Sequence, residues 1–110
     1  MSTEFLFCYI PCPTENLAKS IAIELVTNKL AACANIFLGA KSIYIWDSTL
    51  HEDTEVILIA KTTKEVFPAL EKKVLEMHDY ECPCIMALNI SEVNEAYATW
   101  FSQSCQVPQS

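Results

Sequence analysis

Between Glu55 and Lys61 the chain reads EVILIAK, and the five residues in the middle are all apolar. Side chains of an extended segment leave alternately to opposite faces, so Val56, Leu58 and Ala60 point one way and Ile57 and Ile59 the other. An antiparallel strand with one wet face alternates between apolar and polar residues, and this one does not. Both of its faces must be buried. A second run rich in β-branched and aromatic residues, SIYIW from Ser42 to Trp46, precedes it, and the polar segment from Asp47 to Thr54 lies between them. The pair predicts two long antiparallel strands joined by a loop, within a hairpin that spans about Ala34 to Thr62.

The remaining elements follow from period and punctuation. FLFCYI, starting at Phe5, is apolar on both faces and reads as a central strand ended by Pro11 and Pro13. Thr14 is placed to cap a helix, with Glu15 near the positive end of its dipole and Leu17, Ala18, Ile21, Ala22 and Leu25 on one stripe, running to about Leu30. Gly39 is the sole glycine, and inside the first hairpin strand it marks a bulge or bend. Thr62-Thr63-Lys64-Glu65 has capping-box spacing and predicts a helix to about Met77, with Val66, Phe67, Leu70, Val74 and Met77 apolar and Pro68 in its first turns. Cys84 to Ile90 reads as a fourth strand, again apolar on both faces. Ser91 then caps a short helix with Val93, Tyr97, Trp100 and Phe101 as its buried stripe, and the polar tail from Gln103 is expected to fray.

The order β-α-β-β-α-β-α defines an α+β, ferredoxin-like domain over residues 1–110, with a C-terminal helix and a four-stranded antiparallel sheet containing the long hairpin. Two helices cover one face of such a sheet. The other face should be polar in a monomer, yet strands one, three and four offer no polar face, so further copies of the same chain are expected to cover it.

Charge and cysteine content exclude several functions. Fourteen acidic against seven basic residues, with no basic cluster, remove the electrostatic footing for nucleic acid. The apolar runs fall well short of the ~20 residues that cross a bilayer, and the N-terminal segment MSTEFLFCYIP lacks the basic start of a signal peptide, so a soluble, cytoplasmic protein without membrane contact is expected. Its six cysteines are then expected to be free thiols. The acceptor pattern Asn89-Ile90-Ser91 is discounted on the same grounds. One glycine excludes a phosphate-cradling loop, and neither His51 nor His78 has a nucleophile and acid beside it in the sequence, so no catalytic activity is expected.

The most chemically loaded stretch is His78-Asp79-Tyr80-Glu81-Cys82-Pro83-Cys84. A residue before proline prefers to be extended, which sends Cys82 and Cys84 to the same side. Two thiols with a nearby imidazole suit Cu(I) or Zn(II), although a pair alone lacks the four ligands of a structural zinc site; two ordinary thiols at an interface are the plain alternative. His51, Glu52, Asp53 and Glu55 could offer oxygen ligands to a hard cation, or form the solvated tip of the hairpin.

Five motifs in order, LAACANI (Leu30–Ile36), SIYIWD (Ser42–Asp47), TEVILIAKTT (Thr54–Thr63), HDYECPCI (His78–Ile85) and a closing Tyr97 and Trp100, resemble the CutA divalent-cation-tolerance family over roughly residues 5 to 102. The resemblance implies a compact homotrimer in which the hairpin strands pair across subunits. It also implies a link to divalent-metal tolerance, with copper binding by some members, and an association of some animal members with anchoring a membrane esterase, hence an unidentified protein partner. Cys33 matches the cysteine of the family motif and joins His78, Cys82, Cys84 and the weaker Glu81 as a metal-ligand candidate, with copper or another divalent metal such as zinc as the ion. The family usually has glutamate where Cys84 stands and proline where Asp79 stands; if the family's site uses that carboxylate, this chain has softened the site or lost it. The likeness of the family trimer to PII signalling proteins implies a second reading, a sensor or scaffold whose intersubunit clefts, lined by Tyr44, Trp46 and Lys61, bind a small anion.

Overall fold

The structure, a computed structural model, describes residues 3–109. Met1 and Ser2 of the N-terminal segment and Ser110 of the tail lie outside the described residues. The elements are β1 (Phe5–Cys12), α1 (Glu15–Thr27), β2 (Cys33–Trp46), β3 (Thr49–Thr63), α2 (Phe67–Met77), β4 (Met86–Ile90) and α3 (Glu95–Ser104). The strands form one antiparallel sheet in the order β2-β3-β1-β4. The fold is the α+β, ferredoxin-like arrangement that the element order predicts.

The hairpin is longer and tighter than the polar segment suggests. Asp47 and Ser48 alone form the turn, with φ of 52° and 61°, and pairing resumes at once with Trp46 opposite Thr49. Two consecutive positive φ angles are the signature of a type I′ turn, whose twist matches that of the flanking strands. The expected loop from Asp47 to Thr54 is therefore mostly strand: Leu50 to Thr54 are paired, and cross-strand partners outweigh their polar character. Gly39 does sit in a bulge, at φ +80°, where the register slips between Phe37 and Ala40.

Helix α1 begins as expected, with Thr14 Oγ1 accepting from the Leu17 amide at 3.1 Å, a cap worth about 1 kcal/mol. It stops at Thr27 rather than Leu30. Lys29 takes the left-handed conformation, Leu30 N–H donates to Leu25 O at 2.8 Å and Lys29 N–H to Val26 O at 3.1 Å, a Schellman motif that turns Leu30 back into the core. At α2 the expected box on Thr62 and Glu65 does not form: the Thr62 hydroxyl donates to Leu30 O at 2.7 Å, the Val66 amide donates to the neighbouring Thr63 Oγ1 at 3.3 Å within a turn, and the helix starts at Phe67. Pro68 then falls in the first turn, where its missing N–H costs nothing. Helix α3 likewise starts later than Ser91, after Asn94, and β4 starts at Met86 rather than Cys84.

Helices α1 and α2 cover one face of the sheet. Their Ile21, Leu25, Leu70 and Val74 pack in a core with Leu6, Cys8, Ile10, Val56, Leu58 and Ala60. Each fully buried aliphatic side chain there contributes about 1.5–3 kcal/mol by leaving water. Helix α3 lies against the opposite face, at one end: Phe101 is 1% exposed, with its ring 4.4 Å from that of Phe5. Trp100, expected in the buried stripe, is exposed. The tail is tied down past the point where fraying was expected, since Cys105 packs on the core and the Gln106 amide donates to Lys29 O at 2.9 Å.

The rest of the second face is open, with Phe37, Met86 and Leu88 exposed on it. β1 pairs with β3 only as far as Cys12 opposite Val56. Beyond that point, Ala40–Trp46 and Thr49–Glu55 continue as a two-stranded arm. Its faces carry Ile43, Ile45 and Leu50 on one side, with Ile45 70% and Leu50 69% exposed, and Tyr44 and Trp46 on the other.

Candidate functional site

Where β1 stops, β3 runs on, and the strand position beside Glu55 is left vacant. The connection from α2 to β4, residues 78–85, fills the gap. His78 anchors it. The Tyr80 amide donates to His78 Nδ1 at 3.2 Å, which makes Nδ1 an acceptor, so Nε2 carries the proton and donates to Pro11 O at 2.8 Å. Both ring nitrogens are thus engaged inside the fold. The Tyr80 ring packs 4.7 Å from the His78 ring and sends its hydroxyl to Glu55 Oε2 at 2.5 Å. Desolvation first, and then this bond to Glu55, hold the Tyr80 proton far above the usual tyrosine range. Glu55 is 8% exposed, a buried carboxylate with its partner in place.

The arm supplies the other wall. Tyr44 stands opposite His51 in the register and stacks on its ring at 5.2 Å and 13°. The Tyr44 hydroxyl donates to the Asp53 carboxylate, which raises its own proton affinity. Tyr44 and Trp46 on the arm, Pro11 at the end of β1, Glu55 on β3, and Tyr80, Glu81, Cys82 and Cys84 on the loop enclose a cleft of about 410 Å³. The Cys84 thiol is pushed up by burial, then by Glu55 and Cys82.

The candidate residues therefore separate into two places. Cys82, Cys84 and Glu81 share the cleft with Tyr44 and Trp46, and His78 stands behind it as a brace. Cys33 and Lys61 pair at the far end of β3, where Lys61 Nζ lies 4.0 Å from Cys33 Sγ, 3.3 Å from the Tyr97 hydroxyl and 5.5 Å from that ring's centre. Glu55 and Lys61 are roughly 20 Å apart at the rise of a strand. Within one chain, then, Lys61 does not join Tyr44 and Trp46, nor Cys33 the Cys82/Cys84 pair. Asp53 is engaged by Tyr44, and among the described residues no group of three or more His, Cys, Asp or Glu side chains is disposed around one metal ion. A four-ligand zinc site is not assembled within one chain. The donor set of the cleft fits a soft ion of low coordination number, held by two thiols.

Sequence reasoning missed the pairing of Glu55 with Tyr80. Each was visible as a polar residue at the border of an apolar or cysteine-bearing stretch, but 25 residues separate them, and nothing local to either announces the other.

The profile of the family described as "CutA1 divalent ion tolerance protein" matches residues 6–104. The chain is 43% identical over 95 residues to the divalent-cation tolerance protein CutA of Thermus thermophilus, covering 86% of this chain and 92% of that protein. It is 38% identical over 95 residues to protein CutA of Mus musculus, covering 86% of this chain and spanning about half, 54%, of the mouse protein's length. Among solved structures, CutA1 from Oryza sativa superposes with a TM-score of 0.92 at 32% identity, covering 96% of each chain. The Archaeoglobus fulgidus protein, described as the periplasmic divalent cation tolerance protein CutA, superposes at 0.88 with 36% identity over 91% of this chain and 97% of its own.

Proposed function

The chain belongs to the CutA1 divalent ion tolerance family, and from that premise we propose that it acts in metal tolerance as a homotrimer that binds copper, as Cu(I), through Cys82 and Cys84. The observation that carries this is the presence of two thiols in one cleft with no competing cation among its walls. Thiolates are soft donors and suit Cu(I), whereas Mg(II) and Ca(II) need oxygen shells that this set does not supply. Glu81 on the same loop is an accessory donor, and His78 positions the loop instead of ligating. Zinc would need donors from a second subunit to complete four ligands. A reducing cytoplasm goes with this reading, because the ligands must be thiols. Assembly is supported by the arm, whose apolar side chains are exposed on both faces in the single chain.

The sensor reading keeps one observation of its own: Lys61 makes no ion pair among the described residues, and its ammonium is left with the Tyr97 hydroxyl and the Cys33 thiol, a place where a small anion would be welcome. Metal analysis of protein purified under reducing conditions separates the two readings. Competition with a Cu(I) chelator should show tight binding by the parent and its loss in a Cys82→Ser/Cys84→Ser variant; no binding by the parent would favour the anion-sensing trimer.

A further inference from the structure

The cleft is far larger than the ion proposed for it. At about 410 Å³ it exceeds by an order of magnitude the ~30 Å³ that one water occupies in the liquid. Three of its walls are the aromatic side chains of Tyr44, Trp46 and Tyr80. Among the described residues no basic side chain lines it, and Glu55 and Glu81 do, so an anionic ligand is repelled. Cys82 and Cys84, one on each side of Pro83, both line it, and among the described residues no third thiol does.

These features together select a ligand class: neutral, aromatic, and carrying one atom that can take two thiols and no more. We propose that the cleft is a binding site for aryl-substituted trivalent arsenicals, captured by Cys82 and Cys84 with the aryl group against Tyr44 and Trp46. An aryl arsenoxide has one permanent carbon substituent on arsenic and two exchangeable positions, which matches two thiols. Inorganic arsenite has three exchangeable positions and would need a thiol the cleft lacks. The step is a condensation: two As–S bonds form, the arsenic–oxygen bond breaks, and the oxygen leaves as water with the two thiol protons. Arsenic remains trivalent, so no oxidant or reductant enters. The inference rests on the accessibility of the Cys82/Cys84 pair, as the copper reading does, but it adds the aromatic walls, which a bare ion would not use.

The test uses phenylarsine oxide and its methyl counterpart with the full, reduced chain. Intact mass should show one phenylarsenic adduct per chain, lost in Cys82→Ser and in Cys84→Ser singly, because capture needs both sulfurs, and retained in Cys33→Ser. Trp46→Ala should weaken phenylarsine oxide by roughly tenfold, about the effect of one well-packed aromatic contact, and leave methylarsine oxide and Cu(I) affinities as in the parent. Adduct formation that survives either single serine variant, or equal loss for phenyl and methyl compounds in Trp46→Ala, would overturn the proposal. A chain that binds Cu(I) but takes up no phenylarsine oxide overturns it while sparing the copper reading, and the converse removes copper alone.

Discussion

The Tyr80 hydroxyl donates to Glu55 at 2.5 Å across the gap that β1 leaves when it ends at Cys12. This one bond joins the loop bearing both cleft thiols to the strand that carries the arm. Glu55 is nearly inaccessible to water, so removing its donor leaves a buried carboxylate short of a partner, at a cost of about 1–3 kcal/mol. Tyr80→Phe should lower the unfolding free energy by that amount, read as a lower urea midpoint with the slope unchanged. Glu55→Gln, which keeps an acceptor, should cost less. A Tyr80→Phe protein as stable as the parent would show that the bond does not hold the loop.

The exposed arm predicts assembly. Light scattering should report three times the 12.4 kDa chain mass at low micromolar concentration, and high salt should not dissociate it, because salt screens charges beyond a few ångströms but not apolar contacts. Ile45→Glu, which places a charge on the arm, should release monomers that retain their circular dichroism. A parent that runs as a stable monomer would remove the trimer from the functional reading.

The thiols differ in depth and should react in that order. Cys82 is exposed, whereas Cys8 and Cys12 are buried. Under reducing conditions all six should titrate in denatured protein; in native protein Cys82 should alkylate first and the pair in β1 last. A protected disulfide in protein from a reducing lysate would count against the proposed cytoplasmic location.

Burial also ties Cys8 and Cys12 to alkaline stability. It pushes the Cys8 thiol from 9.0 to about 12, and burial followed by Glu55 pushes Cys12 to about 11. Unfolding returns both to the ordinary range, so above about pH 9 only the unfolded chain releases these protons. Their contribution is fully present below that pH and is lost as pH rises through about 11 to 12, with a limiting slope of about 1.36 kcal/mol per pH unit for each group. Urea unfolding should be flat in this respect to about pH 9 and decline above it, and Cys8→Ala should make the decline shallower. An identical alkaline limb in that variant would mean that the Cys8 thiol ionises within the folded chain.

Gly39 offers a backbone test. A Cβ there would meet nothing within 4 Å, yet φ is +80°. Gly39→Ala should therefore destabilise by about 1–2 kcal/mol through the left-handed backbone alone, and Gly39→Asn by less, since asparagine tolerates that region better. A neutral Gly39→Ala would mean that the bulge relaxes.

Local pattern carried most of the fold. EVILIA announced a strand buried on both faces because the alternation of side chains is a property of the strand itself, and Val56 to Ala60 are indeed buried. Thr14, Gly39 and the stripe on α1 were legible for the same reason, since a cap, a bulge and a helical face each depend on residues a few positions apart. Element ends were less so. Lys29 closes α1 in a conformation usually left to glycine, and Asp47-Ser48 turns the hairpin in two residues, because tertiary and cross-strand contacts outweigh the mild local preferences of those residues.

The site divides along the same line. That Cys82 and Cys84 line one cleft was within reach of the sequence, because only Pro83 separates them. That Tyr44, Trp46, Glu55 and Tyr80 surround them, while Lys61 and Cys33 sit roughly 20 Å from Glu55 along β3, was decided by the strand order and by the register in which β1 ends at Cys12, opposite Val56, while β3 continues. Side-chain direction is set by the nearest few residues, but which distant residues meet is set by pairing, and a shift of one position in that pairing would have turned Glu55 to the other face of the sheet.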